Sequence, residues 1–340
     1  MRVDSHIHTF SPGFFPSEWF DAMADRWVMA KWPPRPKGAI RGRIEEGMMD
    51  PSAEHVGGAL DAASIDRAIW MGLDPWVFLR GTRPDDNRSE SGLEHLLRQA
   101  ALVRAGEGRF VGVAGIDPRR SDATDLAAMA LDDFGMVGVK IYPPHGYFPQ
   151  SPECAQLYEA CVRRGRVAVV HSAAAQYPLV THYSNPLYLQ EVQLAYPSLT
   201  IIVAHAGFPM WWREAATVAG GHPSTFLEIS HWDRLIDNDH DELLRILRYW
   251  RDAVGAHRIL FGTDYFGGPR FSGRSQAIAR WATFIAECGV FGEDEIALIM
   301  GDNAARIIPQ LNHIEGKSGT VSGSATNVAF GSDVGSGDRS

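Results

Sequence analysis

The sequence predicts a (β/α)8 barrel. Short, continuous apolar runs recur about eight times between residues 2 and 264. They read as strands buried on both faces of a parallel sheet. Amphipathic segments of helical period separate most of them, as repeated β-α crossovers require. The alternative, an open doubly wound sheet, would want a Gly-rich phosphate loop after an early strand, and none is present.

The first strand is "RVDS" (2–5), and a long insertion rich in Trp, Pro and Met follows it from Thr9 to about Pro51. "SAEHVGGALDAA" (52–63) reads as a helix that Ser52 caps, and "DRAIWMGL" (66–73) as the second strand. The alternation then continues. Strands are expected at 110–116, 136–142, 166–171, 199–205, 225–230 and 257–264. Helices are expected at 93–105, 122–134, 151–164, 186–197, 241–254, 275–288 and 293–308. The helix at 151 opens on Ser-Pro, a good cap and first-turn pair.

Composition narrows the function. A net charge of -9 argues against nucleic acid, because neutralising phosphates needs a basic face. Three cysteines, Cys154, Cys161 and Cys288, include no CxxC pair, so reduced core thiols are expected rather than a disulfide framework or a thiolate metal site. Cys154 and Cys161 should share one buried helix face. No apolar run is long enough for a membrane span and no leader pattern is visible, so a cytoplasmic protein is expected. From Gly316 the chain turns Gly-, Ser- and Asp-rich and is expected to be a disordered tail after a single barrel domain over 1–315.

Polar residues stand where the predicted strands end. His6 and His8 close the first strand, Lys140 lies near the end of the fourth, His171 ends the fifth, His205 the sixth and Asp264 the eighth. A (β/α)8 barrel builds its active site at that face. Side chains alternate along a strand, so His6 and His8 can face inward while Ile7 packs outward. One histidine after an apolar run is usually structural. Four such placements together point to a metal. Three imidazoles and one carboxylate suit zinc, or another borderline divalent ion such as manganese. Such an ion lowers the pKa of a bound water toward ~7 and can polarise a carbonyl.

"DSHIHTF", "GVKIYPP", "VVHSA", "IVAHAG" and "LFGTDY", in this order, resemble the amidohydrolase superfamily. Within it they resemble the branch of aminocarboxymuconate semialdehyde decarboxylase-like enzymes. "GDNAARII" (301–308) resembles that branch's closing helix. The resemblance implies a barrel with a metal at its mouth, held by His6, His8, His171 and Asp264. It implies that His205 is the acid/base beside the metal, and that Asp264 is a ligand, a proton acceptor or both. Binuclear relatives carry a carboxylated lysine at the end of the fourth strand. "GVKIYPP" fits the mononuclear branch better, so Lys140 is read as uncarboxylated, with a substrate role and a structural role both open.

The loops after the strands are aromatic: Phe10, Phe14, Phe15, Trp19, Trp27 and Trp32 in the insertion, then "PPHGYF", "GFPMWW", "HWD" and "YFGGPR". They suggest a flat aromatic or cyclic small molecule as substrate, although the same rings could close a lid or a subunit interface. Lys140, His145, Trp232 and Tyr265 are the candidates for touching it. His231 could do so too, a plain loop histidine being the simpler reading. Arg80, Arg83, Arg270 and Arg274 are candidates for a substrate carboxylate. Two reactions share this ligand set: hydrolysis of a C–N, ester or lactone bond, toward which the reading leans, and non-oxidative decarboxylation of an aromatic or unsaturated acid. A barrel that keeps the ligands without chemistry would not need His205. The resemblance also suggests a homodimer.

Overall fold

The structure, a computed structural model, describes residues 1–30, 33–80, 91–268 and 275–313. The expected tail, Arg83, Arg270 and Arg274 lie outside the described residues, as does the side chain of Arg80.

Eight strands form one parallel sheet in sequential order, the barrel the sequence predicts. They are β1 (Val3–Ile7), β2 (Arg67–Met71), β3 (Phe110–Gly115), β4 (Gly138–Ile141), β5 (Val167–His171), β6 (Thr200–Ala204), β7 (Thr225–Glu228) and β8 (Ile259–Leu260). The seam between β8 and β1 is closed by two backbone bonds, Ser5 N–H to the Phe261 carbonyl and His8 N–H to the Tyr265 carbonyl, both 2.8 Å. Asp4 reinforces it. This buried carboxylate accepts from Thr263 Oγ1 at 2.6 Å, Thr263 N at 3.1 Å and His6 N at 3.1 Å.

Alternation sorts the strand residues into two cores. Ile69, Met71, Val113, Val167, Val169, Ile202, Ala204, Phe226 and Leu260 face the barrel axis, and Ala304, Ile308 and Leu311 of the C-terminal segment join them. The opposite faces, including Val139, Ile141, Ala168, Val170, Ile201 and Val203, pack under the helices. Each buried Val, Leu or Ile is worth roughly 1.5–3 kcal/mol. Parity places Lys140 inward, between outward Val139 and Ile141. It also sets His171 in the inner row of Val167 and Val169. Strand β1 breaks its own parity: the register shifts between Asp4 and Ile7, so Val3 joins the inner core while Ile7 joins the outer one. That shift turns His6 and His8 into the barrel.

The insertion is not an irregular loop. It holds two helices, α1 (Ser17–Met29) and α2 (Lys37–Met48), each starting directly after a proline. Phe10, Phe14 and Phe15 pack on one another with ring centroids 4.7–5.0 Å apart, and Phe15 stacks on Trp19. These rings form the core of the insertion, while Trp27 is 46% exposed. Strand β8 is shorter than expected: only Ile259 and Leu260 pair with β7, and beyond them the chain meets β1 through the Ile7–Tyr265 bridge. Cys154 and Cys161 are buried and Cys288 half-buried, all three free thiols. No helix among the described residues is long and apolar enough to cross a membrane.

Candidate metal centre

His6, His8 and Asp264 converge at the mouth. His6 Nε2 lies 3.2 Å from His8 Nε2, 3.3 Å from Asp264 Oδ1, and His8 Nε2 lies 3.1 Å from that same oxygen. The far nitrogens fix the tautomers. His6 Nδ1 is 2.8 Å from Glu228 Oε2, and His8 Nδ1 is 2.7 Å from the Met71 carbonyl. The Met71 carbonyl only accepts, as does Glu228 in its carboxylate form, and against these partners each Nδ1 carries the proton. In the neutral rings two Nε2 lone pairs therefore face a carboxylate oxygen with no proton between them. Three mutually repelling donors at such distances fit a cation. Ligand atoms about 2.0–2.2 Å from a tetrahedral zinc stand roughly 3.3 Å apart.

His171 adds a further donor. It is buried, its Nε2 has no hydrogen-bond partner among the described residues, and its ring packs 4.6 Å from those of His205 and Tyr142. A buried imidazole nitrogen left unpaired is costly unless something absent from the protein chain takes it.

Behind these donors lies Glu228, which sequence reasoning missed. Its carboxylate is fully buried at the end of β7. Besides His6 Nδ1 it accepts from His205 N at 3.1 Å, Ser230 N at 2.6 Å and Ser230 Oγ at 3.0 Å. Burial pushes its pKa up to about 7, against these donors and the Lys140 ammonium. Gly262 makes the space: a Cβ there would stand 2.1 Å from Glu228 Oε1. Because Ser230 Oγ donates to Glu228, it must accept from His205 Nδ1, 2.7 Å away. His205 is thereby held as the Nδ1–H tautomer, with its lone pair on Nε2.

His231, also discounted in the sequence, stacks on His205 with centroids 4.6 Å apart and places Nε2 3.0 Å from Asp264 Oδ2. His205, His231 and Asp264 each bring a ligand-type atom into one group. All three have positive φ: 65°, 73° and 53°. Non-glycine residues adopt that region rarely, and the strain concentrates where side chains must be aimed.

Burial and the nearby Lys140 ammonium push His6 and His171 well below the usual imidazole range. Burial does the same to His205, helped by His171 and His231. Burial opposes ionisation of Asp264, but His231, His6 and His8 outweigh it and hold the carboxyl well below its ordinary value. The low values of His6, His171, His205 and Asp264 favour the deprotonated forms that bind a metal ion.

The other expected residues fall around this centre. Lys140 is buried, its Nζ without a hydrogen-bond partner among the described residues. Burial lowers its pKa to about 8, against the pull of Glu228 and Asp264. His145 stacks on Phe78 at 5.2 Å and meets Tyr142 at 4.7 Å, so rings run from Phe78 through His145 and Tyr142 to His171. Trp232 is fully buried and spends its indole N–H on the His205 carbonyl at 2.8 Å, which places it behind His205 as a brace. Tyr265 is buried at the β8–β1 seam, next to Asp264.

The family model for amidohydrolases matches residues 3–310. No curated protein matches the chain. Among solved structures, 5-carboxyvanillate decarboxylase from Sphingomonas paucimobilis is 20% identical with a TM-score of 0.61, covering 91% of this chain and 98% of that one. The 2,6-dihydroxybenzoate decarboxylase from Rhizobium is 16% identical, TM-score 0.60, covering 91% and 98%. A probable 2-pyrone-4,6-dicarboxylic acid hydrolase from Acinetobacter baumannii is 13% identical, TM-score 0.55, covering 91% and 99%. At these identities the likeness is one of fold.

Proposed function

Because the chain belongs to the amidohydrolase family, we propose that it is a metal-dependent, non-oxidative decarboxylase of a small aromatic acid. The observation that carries the metal is the set of lone pairs on His6, His8 and Asp264, which face one another at 3.1–3.3 Å. His6, His8, His171 and Asp264 would hold one divalent ion, zinc being the first to test and manganese the second. Such an ion supplies Lewis acidity toward a substrate oxygen. Decarboxylation takes precedence over hydrolysis because decarboxylases recur among the fold relatives. One of them, from Novosphingobium aromaticivorans, was crystallised with manganese and a nitrobenzoic acid.

The chain's own residues supply the rest. The stacked Phe78 and His145 rings, with Tyr142 tilted 58° to His145, offer aromatic faces for an aromatic substrate, and Tyr265 flanks Asp264. His205 Nε2 takes a proton from solvent or substrate and delivers it to the ring carbon that bears the carboxylate. The bond from that carbon to the carboxylate then breaks, its electron pair restores the ring, and carbon dioxide leaves. Ser230 and Glu228 hold His205 in place, and His231 orients Asp264. In hydrolysis the same proton would pass to a leaving group instead. Metal-loaded protein offered a panel of hydroxylated aromatic acids, amides and lactones separates the two by mass spectrometry. Loss of carbon dioxide from an acid supports the proposal. Conversion only of amides or lactones, with gain of water, overturns it.

A further inference from the structure

Among the described residues Lys140 is one of the largest fully buried side chains, and its ammonium has no hydrogen-bond partner there. A buried ammonium with three unused donors is expensive. Lys140 faces inward on β4, level with Val169 of β5, whose inner row ends at His171. No carboxylate among the described residues takes a hydrogen bond from it. Glu228 already accepts from His6, His205 and both donor groups of Ser230. Asp264 faces His6 and His8 with one oxygen and His231 with the other. The Lys140 donors are therefore unused among the described residues.

We propose that Lys140 Nζ is the anchor for an anionic oxygen of the bound ligand, so that the site selects aromatic acids over their neutral counterparts. This rests on the reading of the mouth as an aromatic-acid site and adds the residue that enforces the charge. A carboxylate or phenolate oxygen would fill the donors with charge-assisted hydrogen bonds, each worth about 1.5–3 kcal/mol, or roughly 10-fold or more in affinity. The rings of Tyr142 and His145 follow Lys140 on the same β4 segment, so one strand end supplies both the charge contact and the aromatic faces.

The test measures binding of benzoate and benzamide to metal-loaded protein by calorimetry. Wild type should prefer benzoate, and Lys140→Met should reduce that preference roughly 10-fold or more. Where Lys140→Met does not fold, Lys140→Arg should keep the preference and Lys140→Gln should lose it. An unchanged preference in the neutral variants overturns the proposal. So does a carbamate on Lys140, seen by NMR of the wild-type holoenzyme supplied with isotopically labelled bicarbonate. A Lys140-dependent preference without carbon dioxide release from any acid would keep the anchor and remove the decarboxylase reading. Carbon dioxide release with an unchanged preference would do the reverse.

Discussion

His6 Nδ1 lies 2.8 Å from Glu228 Oε2, a bond between the first and seventh strands that decides which nitrogen of His6 faces the mouth. Partners of this kind orient metal-binding histidines and raise their basicity. Glu228→Gln should therefore lower affinity for a divalent ion about 10- to 100-fold with the barrel intact. Gly262→Ala, on the other side of the carboxylate, should do the same, because its Cβ would stand 2.1 Å from Glu228 Oε1. Competition with a chromophoric chelator measures both, and unchanged affinity in Glu228→Gln would remove Glu228 from the centre.

Ser230 Oγ, 2.7 Å from His205 Nδ1, should matter for turnover more than for binding. Ser230→Ala is expected to lower kcat roughly 10-fold with little change in KM, since it frees the His205 ring without removing it. Ser230→Thr keeps the hydroxyl and should recover much of the loss. A rise in KM alone would point to a substrate contact instead.

His171 and His205 should separate cleanly. His171→Ala should fail to retain the metal, as expected for a donor whose Nε2 has no partner among the described residues. His205→Ala should retain it and lose turnover by about 10²–10⁴. Elemental analysis beside a steady-state assay reads both.

Away from the centre, Asp74 and Arg120 brace the mouth at the ends of β2 and β3 through contacts of 2.5 and 3.0 Å. Burial would raise the Asp74 carboxyl, but the Arg120 guanidinium overrides it and the pKa falls to about 2. A carboxyl depressed on folding stabilises above its unfolded value of 3.8, and the contribution is lost as pH falls toward 2. Denaturant unfolding should thus show about 2 kcal/mol disappearing across that window. Asp74→Asn, which leaves Arg120 half-buried without its partner, should cost about 3 kcal/mol at neutral pH.

The barrel and the strand-end donors were legible in the sequence because both follow from short-range patterns: apolar runs, and polar residues where those runs stop. The spacing of His6 and His8 shows that they share a face, while the register shift in β1 that turns that face inward has no mark in the sequence. Glu228 was readable in principle, being the one charged residue in "TFLEIS", yet nothing local says that its partner is His6 on another strand. His231 was hidden by its loop, since stacking on His205 requires a positive φ that no side-chain pattern announces. Of the insertion's helices only α2 lacks a clean apolar period; α1 spaces Trp19, Phe20, Met23 and Trp27 at helical intervals, and Pro16 and Pro36 before the first turns were a further signal. The order of the two reactions could not be read at all, because both use the same donors.

Turnover of an aromatic acid by the metal-loaded protein in deuterium oxide enriched in heavy oxygen tests the central claim most directly. The account predicts a product that has lost the carboxylate and carries one solvent deuterium on the vacated carbon, with no heavy oxygen. A product that keeps every carbon and gains heavy oxygen from water would contradict it.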